Sequence, residues 1–202
     1  MSRQNTYTAV LDDVKSGSTL LDFGCCFAQD IRKLIYDGAP LENLWGADIE
    51  PEFFKLGFDL FSDQDRLDGR FLTADIFENG CLGNLRRKVD IIHIGLFLHL
   101  WDWEQQVRAC EAILGILKPE KGVRVLGQQM ASIEPGPVKN GQKILYKHND
   151  KTFEHLWEEV GKKTNTRWNV SARMDTGLGI GEGKRQWDTD TARRLVFEVV
   201  RI

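Results

Sequence analysis

Three carboxylates close three short apolar runs in this 202-residue chain: Asp22 after Thr19-Leu-Leu, Asp48 after Asn43-Leu-Trp-Gly-Ala, and Asp75 after Arg70-Phe-Leu-Thr-Ala. A carboxylate at the end of a buried strand needs hydrogen-bond donors, and packing alone does not explain three of them in series. Gly24 follows the first at a position where a backbone turn with φ > 0 is needed and where a ligand can approach with no Cβ in the way. A helix beginning near Ala28 aims the unpaired amides of its first turn at the same place. Asp48 lies 24 positions beyond Gly24, near the separation at which an acidic residue ending a second strand reaches a ribose diol. Gly95 ends a fourth apolar run. His93, inside that run, reads as a core residue. His99, in Phe97-Leu-His-Leu-Trp-Asp-Trp103, falls where a reacting acceptor would lie, and a neutral imidazole there can orient or deprotonate it. Phe97, Trp101, Gln128 and His148 are further candidate acceptor contacts.

The elements that must position these groups alternate. Thr19–Asp22 reads as a strand, and apolar Ile31, Leu34 and Ile35 after it have helical spacing, with Gly38 and Pro40 as stop signals. Asn43–Asp48 is a second strand, and Pro51 opens a helix where a missing N–H costs least. Residues 70–76 are a third strand. The near-continuous apolar run 89–95 is a fourth, of the kind buried on both faces of a parallel sheet. Residues 103–117 are the clearest helix, stopped by Pro119. Residues 121–130 are a fifth strand and 131–147 a long Gly/Pro-containing loop. Asn149 or Asp150 caps a helix with a stripe of Phe153, Leu156, Trp157 and Val160. Strands at 168–172 and 195–200 finish the chain, with a glycine-rich segment, Thr176–Gly183, between them. Residues 1–17 are a short lead-in with roughly helical spacing. Alternation of this kind demands a parallel sheet with right-handed crossovers, ending in an antiparallel hairpin. The expectation is a three-layer αβα, Rossmann-like fold of seven strands in a single domain, 1–202.

Composition narrows the function. Hydrophobic residues make up 42% and charged residues 28%, and the net charge is −3, with no long basic run to suggest a nucleic-acid partner. No segment has the length and apolarity of a membrane span. Four cysteines, at 25, 26, 81 and 110, fit no metal spacing, so no metal is expected, and they suit a reducing, cytoplasmic setting. The glycine pattern Gly24-Cys-Cys-Phe-Ala28 departs from G-x-G-x-x-G, which disfavours a nicotinamide dehydrogenase.

Leu21-Asp-Phe-Gly-Cys-Cys-Phe-Ala-Gln-Asp30 resembles the first motif of class I S-adenosylmethionine-dependent methyltransferases. Together with Asp48-Ile-Glu-Pro-Glu-Phe53, Asp90-Ile-Ile-His93, Phe97–Trp103 and Lys147-His-Asn149, it resembles a fungal branch of that family. This branch contains O-methyltransferases of secondary metabolism, meroterpenoid carboxyl O-methyltransferases among them. The resemblance implies S-adenosylmethionine as cofactor, held by Asp22, Gly24, Asp48, Ile49, Asp75 and Ile76, with Cys25, Phe27 and Gly95 beside them. Asp48 would take the ribose hydroxyls and Asp75 the adenine amino group. It implies a small hydrophobic acceptor, with no nucleic acid and no membrane. The alternative is a protein of the same fold that transfers no methyl group, a pathway cyclase, isomerase or binding subunit. Ala28 stands where the family has glycine. The family's N-terminal helical cover is represented here by only the lead-in, so a cover is expected from residues 131–147, from a homodimer mate or from a partner chain.

Overall fold

The computed structural model describes residues 1, 5–78, 80–175 and 189–202. Five strands run parallel: β1 (Leu20–Phe23), β2 (Leu44–Asp48), β3 (Phe71–Thr73), β4 (Ile91–Gly95) and β5 (Arg124–Ser132). A separate antiparallel pair, β6 (Gly136–Asn140) and β7 (Lys143–Lys147), follows. Then come β8 (Trp168–Asp175) and β9 (Ala192–Arg201); β9 lies antiparallel between β5 and β8, which gives the order β3-β2-β1-β4-β5-β9-β8. The expected mostly parallel, seven-stranded sheet with an antiparallel end is therefore present. The glycine-rich stretch 176–183 lies outside the described residues.

Helices cover both faces. On one, α1 (Tyr7–Lys15) and α2 (Gln29–Tyr36) bury Val10, Val14, Ile31 and Leu34 against Leu20 and Leu44. Beyond them, α3 (Glu52–Phe61) and the single turn α4 (Gln64–Leu67) lead into β3. On the other face, α5 (Trp103–Ile116) and α6 (Asp150–Thr164) bury Val107, Ile113, Phe153 and Trp157 against Leu21, Ile92 and Val125. Each such side chain contributes about 1.5–3 kcal/mol on removal from water. The caps follow the sequence: Asp102 accepts the Gln105 amide at 2.8 Å, and Asn149 closes a capping box with Thr152.

One element differs from expectation. Residues 131–147 are no open loop: β5 runs on to Ser132, and β6 and β7 form a hairpin around Gly141 and Gln142. Gly141 has φ +60°, as a turn with glycine at its first central position requires. Asn140-Gly141 was the local signal. It was easily missed because Val138 and Ile144 both point outward, so the hairpin shows no inward apolar alternation.

The hairpin's base is held by a buried polar network. Gln106, fully buried, donates its amide nitrogen to the carbonyls of Trp101 and Tyr146, each at 3.0 Å. Its oxygen therefore accepts from Nε2 of His148 at 3.0 Å, and Nδ1 of His148 faces Thr152 Oγ1 at 3.2 Å. The Tyr146 amide adds a bond to the Trp101 carbonyl at 2.9 Å. His148 is thus structural, and the reading of it as an acceptor contact is corrected: it is fully buried with both ring nitrogens engaged. Burial pushes its pKa down to about 4, against the smaller raising effect of Thr152. Unfolding frees an imidazole that binds a proton near pH 6.5, so the unfolded state is the more protonated one between about pH 6.5 and 4. The contribution of His148 to stability should hold above that window, fall through it and level off below it, alongside a parallel contribution from His99, whose pKa is lowered to the same value. A His148→Gln variant, less stable at neutral pH, should show a shallower fall in melting temperature over a calorimetric pH series.

Candidate functional site

The carboxyl ends of β1, β2 and β4, with the segment after β3, enclose a cavity of about 290 Å³. That lies near the lower bound for small-molecule sites. The turn from β1 into α2 forms one side. Three alternate residues of it are left-handed: Gly24 at φ +77°, Cys26 at +52° and Ala28 at +53°. These are the positions where the resemblance expects glycines, and the backbone shows why. Cys26 and Ala28 hold the same path at a cost of about 1–2 kcal/mol each. At Gly24 a Cβ would also stand 2.9 Å from the Phe97 ring.

Asp48 fastens this turn. Its Oδ2 accepts the Cys26 amide at 2.8 Å and its Oδ1 the Glu50 amide at 3.2 Å, so both oxygens are oriented and each keeps a lone pair. Asp75, half-buried, accepts the Phe77 amide on Oδ1 at 2.9 Å. Gly24, Asp48, Ile49, Asp75, Ile76 and Gly95 all line the cavity, as do Phe97 and Trp101. Phe97 packs edge-on between Phe23 (5.3 Å) and Trp101 (4.9 Å), making one wall aromatic. Sequence reasoning missed Phe53, Leu96 and Leu100. Leu96 carries the clearest signal, a leucine at φ +56° directly after β4, and strain of that kind gathers at functional sites.

Other candidates lie elsewhere. Asp22 is buried beneath the turn, its Oδ1 2.7 Å from Nδ1 of His93, its register partner in β4. Cys25 is buried, and burial raises its thiol pKa far above the ordinary value, with Asp22 and Asp48 adding to the effect. Phe27 packs on Phe53 at 5.6 Å, behind the cavity wall. Gln128 accepts from Arg194 at 3.3 Å through its side chain and from Leu96 through its carbonyl. His99 does not line the cavity. Its Nδ1 is buried with no partner among the described residues, and burial, aided by Lys147, pushes its pKa down to about 4. The imidazole is neutral at pH 7 and only weakly basic.

Gly24 and Cys26 should respond in opposite directions. Gly24→Ala adds left-handed strain and a clash with Phe97, for a loss of about 2–4 kcal/mol. Cys26→Gly relieves strain and should gain up to about 1 kcal/mol after the added unfolded-state entropy. Urea denaturation of both variants checks this.

Three comparisons bear on this site. No protein-family model matches the chain. The O-methyltransferase atr3 of Stereocaulon alpinum is 44% identical over 190 residues, covering 91% of this chain and 54% of its own length. The O-methyltransferase phiE of a fungal species is 35% identical over 209 residues, covering 95% of this chain and 70% of its own length. The chain thus spans about half of the first relative and just over two thirds of the second. The crystal structure of an S-adenosylmethionine-dependent methyltransferase from Mesorhizobium loti superposes with a TM-score of 0.61 at 13% identity, over 99% of both chains. With its left-handed turn, its acidic strand ends and this degree of identity to phiE, the chain belongs to the fungal O-methyltransferase family, on the S-adenosylmethionine-dependent methyltransferase fold.

Proposed function

We propose that this chain transfers a methyl group from S-adenosylmethionine to an oxygen of a small, largely apolar molecule in fungal secondary metabolism. The observation that carries the reading is the cavity where Gly24, Asp48, Asp75 and Gly95 converge from four separate strand ends. The residues present fit the group. Asp48 has oriented lone pairs for the two ribose hydroxyls, and Asp75 has Oδ2 for the adenine amino group. Ile49, Ile76, Phe53 and Phe97 offer apolar faces to a planar base.

The bound cofactor supplies an electrophilic methyl group for in-line displacement by the acceptor oxygen. The chain's own work is alignment and exclusion of water. Trp101 and Phe97 exclude water along one wall, and Leu96 and Leu100 extend the apolar rim. A carboxylate acceptor is already ionised at neutral pH and needs no base. That suits a cavity with no imidazole among its lining residues, His99 lying outside that lining with a pKa lowered to about 4. His99 is therefore proposed as a positioning group rather than a strong base.

Four free cysteines suit a reducing compartment, and the proposed location is the cytoplasm. No helix among the described residues is long and apolar enough to cross a membrane. Ile49, Leu96 and Leu100 at the cavity and Ile144 on the hairpin are exposed, which supports a cover supplied by a dimer mate or partner chain.

Titration calorimetry should show micromolar or tighter binding of S-adenosylhomocysteine and no binding of NADH. A flat trace with both S-adenosylmethionine and S-adenosylhomocysteine would sink the reading. Asp48→Ala should weaken binding by about thirty- to a thousandfold, two charge-assisted hydrogen bonds being lost. It should also lower the melting temperature, because the Cys26 amide loses its acceptor. His99→Ala should slow turnover of a carboxylic acid acceptor by less than about tenfold. A loss of about 10²–10⁴ would instead assign it as the general base.

A further inference from the structure

Beside the cofactor cavity lies a second, outer one of about 380 Å³, between the 3-10 turn Leu98–Leu100, the start of α5 and β7. Leu100 and Trp101 line both, so it belongs with the site already described. A larger groove, of about 490 Å³, runs between α6 and β8 and shares no residue with the cofactor cavity. Trp157, Trp168, Val170 and Ile202 give it apolar walls. It flanks the edge of the main sheet, because β8 is the last strand in the order and pairs only with β9 among the described residues.

Edge strands are ordinarily blunted by shortness, a bulge, proline or lysine. The opposite edge, β3, is only three residues long. By contrast, β8 runs for eight residues in unbroken register against β9, with neither proline nor lysine. The ladder also fixes which of its backbone groups are free. The Ile202 amide bonds the Arg167 carbonyl at 3.0 Å, so odd-numbered residues along this strand turn their backbone polar groups towards β9. Trp168, Val170, Ala172 and Met174 therefore turn theirs outward, and no backbone group of these four bonds elsewhere among the described residues. Their side chains are half-buried against the core beneath α5 and α6, whereas Asn169, Ser171 and Arg173 are exposed on the other face.

This outward row is self-complementary. About a two-fold axis at Ser171, Trp168 meets the partner's Met174 and Val170 meets the partner's Ala172, each as a doubly bonded antiparallel pair. Every outward group of both copies is then matched. A shift of register by two residues leaves an end residue of each strand unmatched, and in one direction sets Arg167 against the partner's Arg173. In the matched register Arg167 stands opposite the partner's Asp175, and Arg173 opposite the partner's Asn169. The partner's Met174 comes beside Trp168 at the groove, where a flexible thioether fills irregular apolar space. We propose that β8 is an interface between two copies of this chain, an antiparallel β8–β8 pair that joins two seven-stranded sheets into one. Strands β9 and β5 separate it from β4, whose Gly95 lines the cofactor cavity, so this mate leaves that cavity open. The interface is independent of the methyl-transfer reading.

Sedimentation equilibrium of the 202-residue chain should show monomer and dimer exchanging in the micromolar range. Residue-resolved hydrogen exchange should show the Trp168, Val170, Ala172 and Met174 amides gaining protection as concentration rises. Ser171 lies opposite its own copy, so Ser171→Lys and Ser171→Glu should each weaken the dimer by about tenfold or more, through like charges brought together. An equimolar mixture of the two should restore it as a heterodimer. Ser171 is exposed, so neither change disturbs the fold of one chain. Ala172→Pro removes an outward N–H and no bond to β9, and should abolish the dimer. A dimer indifferent to all these substitutions uses another surface and overturns the proposal. Weakening by both Ser171 variants without rescue in the mixture overturns it too, because the self-paired register is then wrong. So does a monomer at every concentration: protected edge amides would assign the edge to another segment of the same chain, and freely exchanging ones would leave it without a partner copy.

Discussion

The hydrogen bond from the Cys26 amide to Asp48 joins the end of β2 to the turn that leads from β1 into α2. Much of the site depends on it. The turn has three left-handed residues, two of them carrying side chains, and such a path persists only where its surroundings over-determine it. Asp48 provides part of that determination from one side, and Arg32 from the other, bonding both oxygens of Asp63 at 2.7 Å and reaching the Phe27 carbonyl. The carboxylate proposed for the ribose is thus also the fastener of the loop beside it. Binding and local architecture are coupled through a single side chain, and the acid is held in its working orientation before any ligand arrives.

The fold was largely legible in the sequence because its signals are local and repeated. Strand, turn and helix alternate through Gly95, and Pro51 and Asn149 mark helix starts where the structure has them. The candidate site was legible in part. Asp48, Asp75, Ile49, Ile76, Gly24 and Gly95 come together because strand ends in a parallel sheet share one edge. Asp22 also ends a strand, yet its side chain falls on the face occupied by His93, and a period-2 pattern does not reveal which face a ligand will use. His148 looked like a polar group beside a long loop. Its two partners, Gln106 and Thr152, come from different helices, and one is distant in sequence, so its burial could not be read locally. Leu96 escaped notice because a leucine signals packing, and only its φ marks it as unusual.

The aromatic wall ties the two cavities into one system. Phe23, Phe97, Trp101 and Phe77 meet edge to face in succession, from the floor of the cofactor cavity to the margin of the second. Arg108 rests over the far end, 5.4 Å from the Phe77 ring centre. Rings packed edge-on in series resist independent rotation in a close-packed interior. Displacing Trp101 therefore disturbs both cavities at once.

The β6–β7 hairpin combines a fixed base with an independent tip. From Tyr146 onward it is locked to α5 and α6, whereas at the tip Asn140 and Lys143 pair with each other. Closing a longer loop at such a tip costs little, about 0.6 kcal/mol for each doubling of its length. Insertions or deletions at Gly141-Gln142 would reshape one wall of the outer cavity while leaving the sheet, the left-handed turn and Asp48 untouched. Change at this turn and change at the strand-end site are thus separable within one fold.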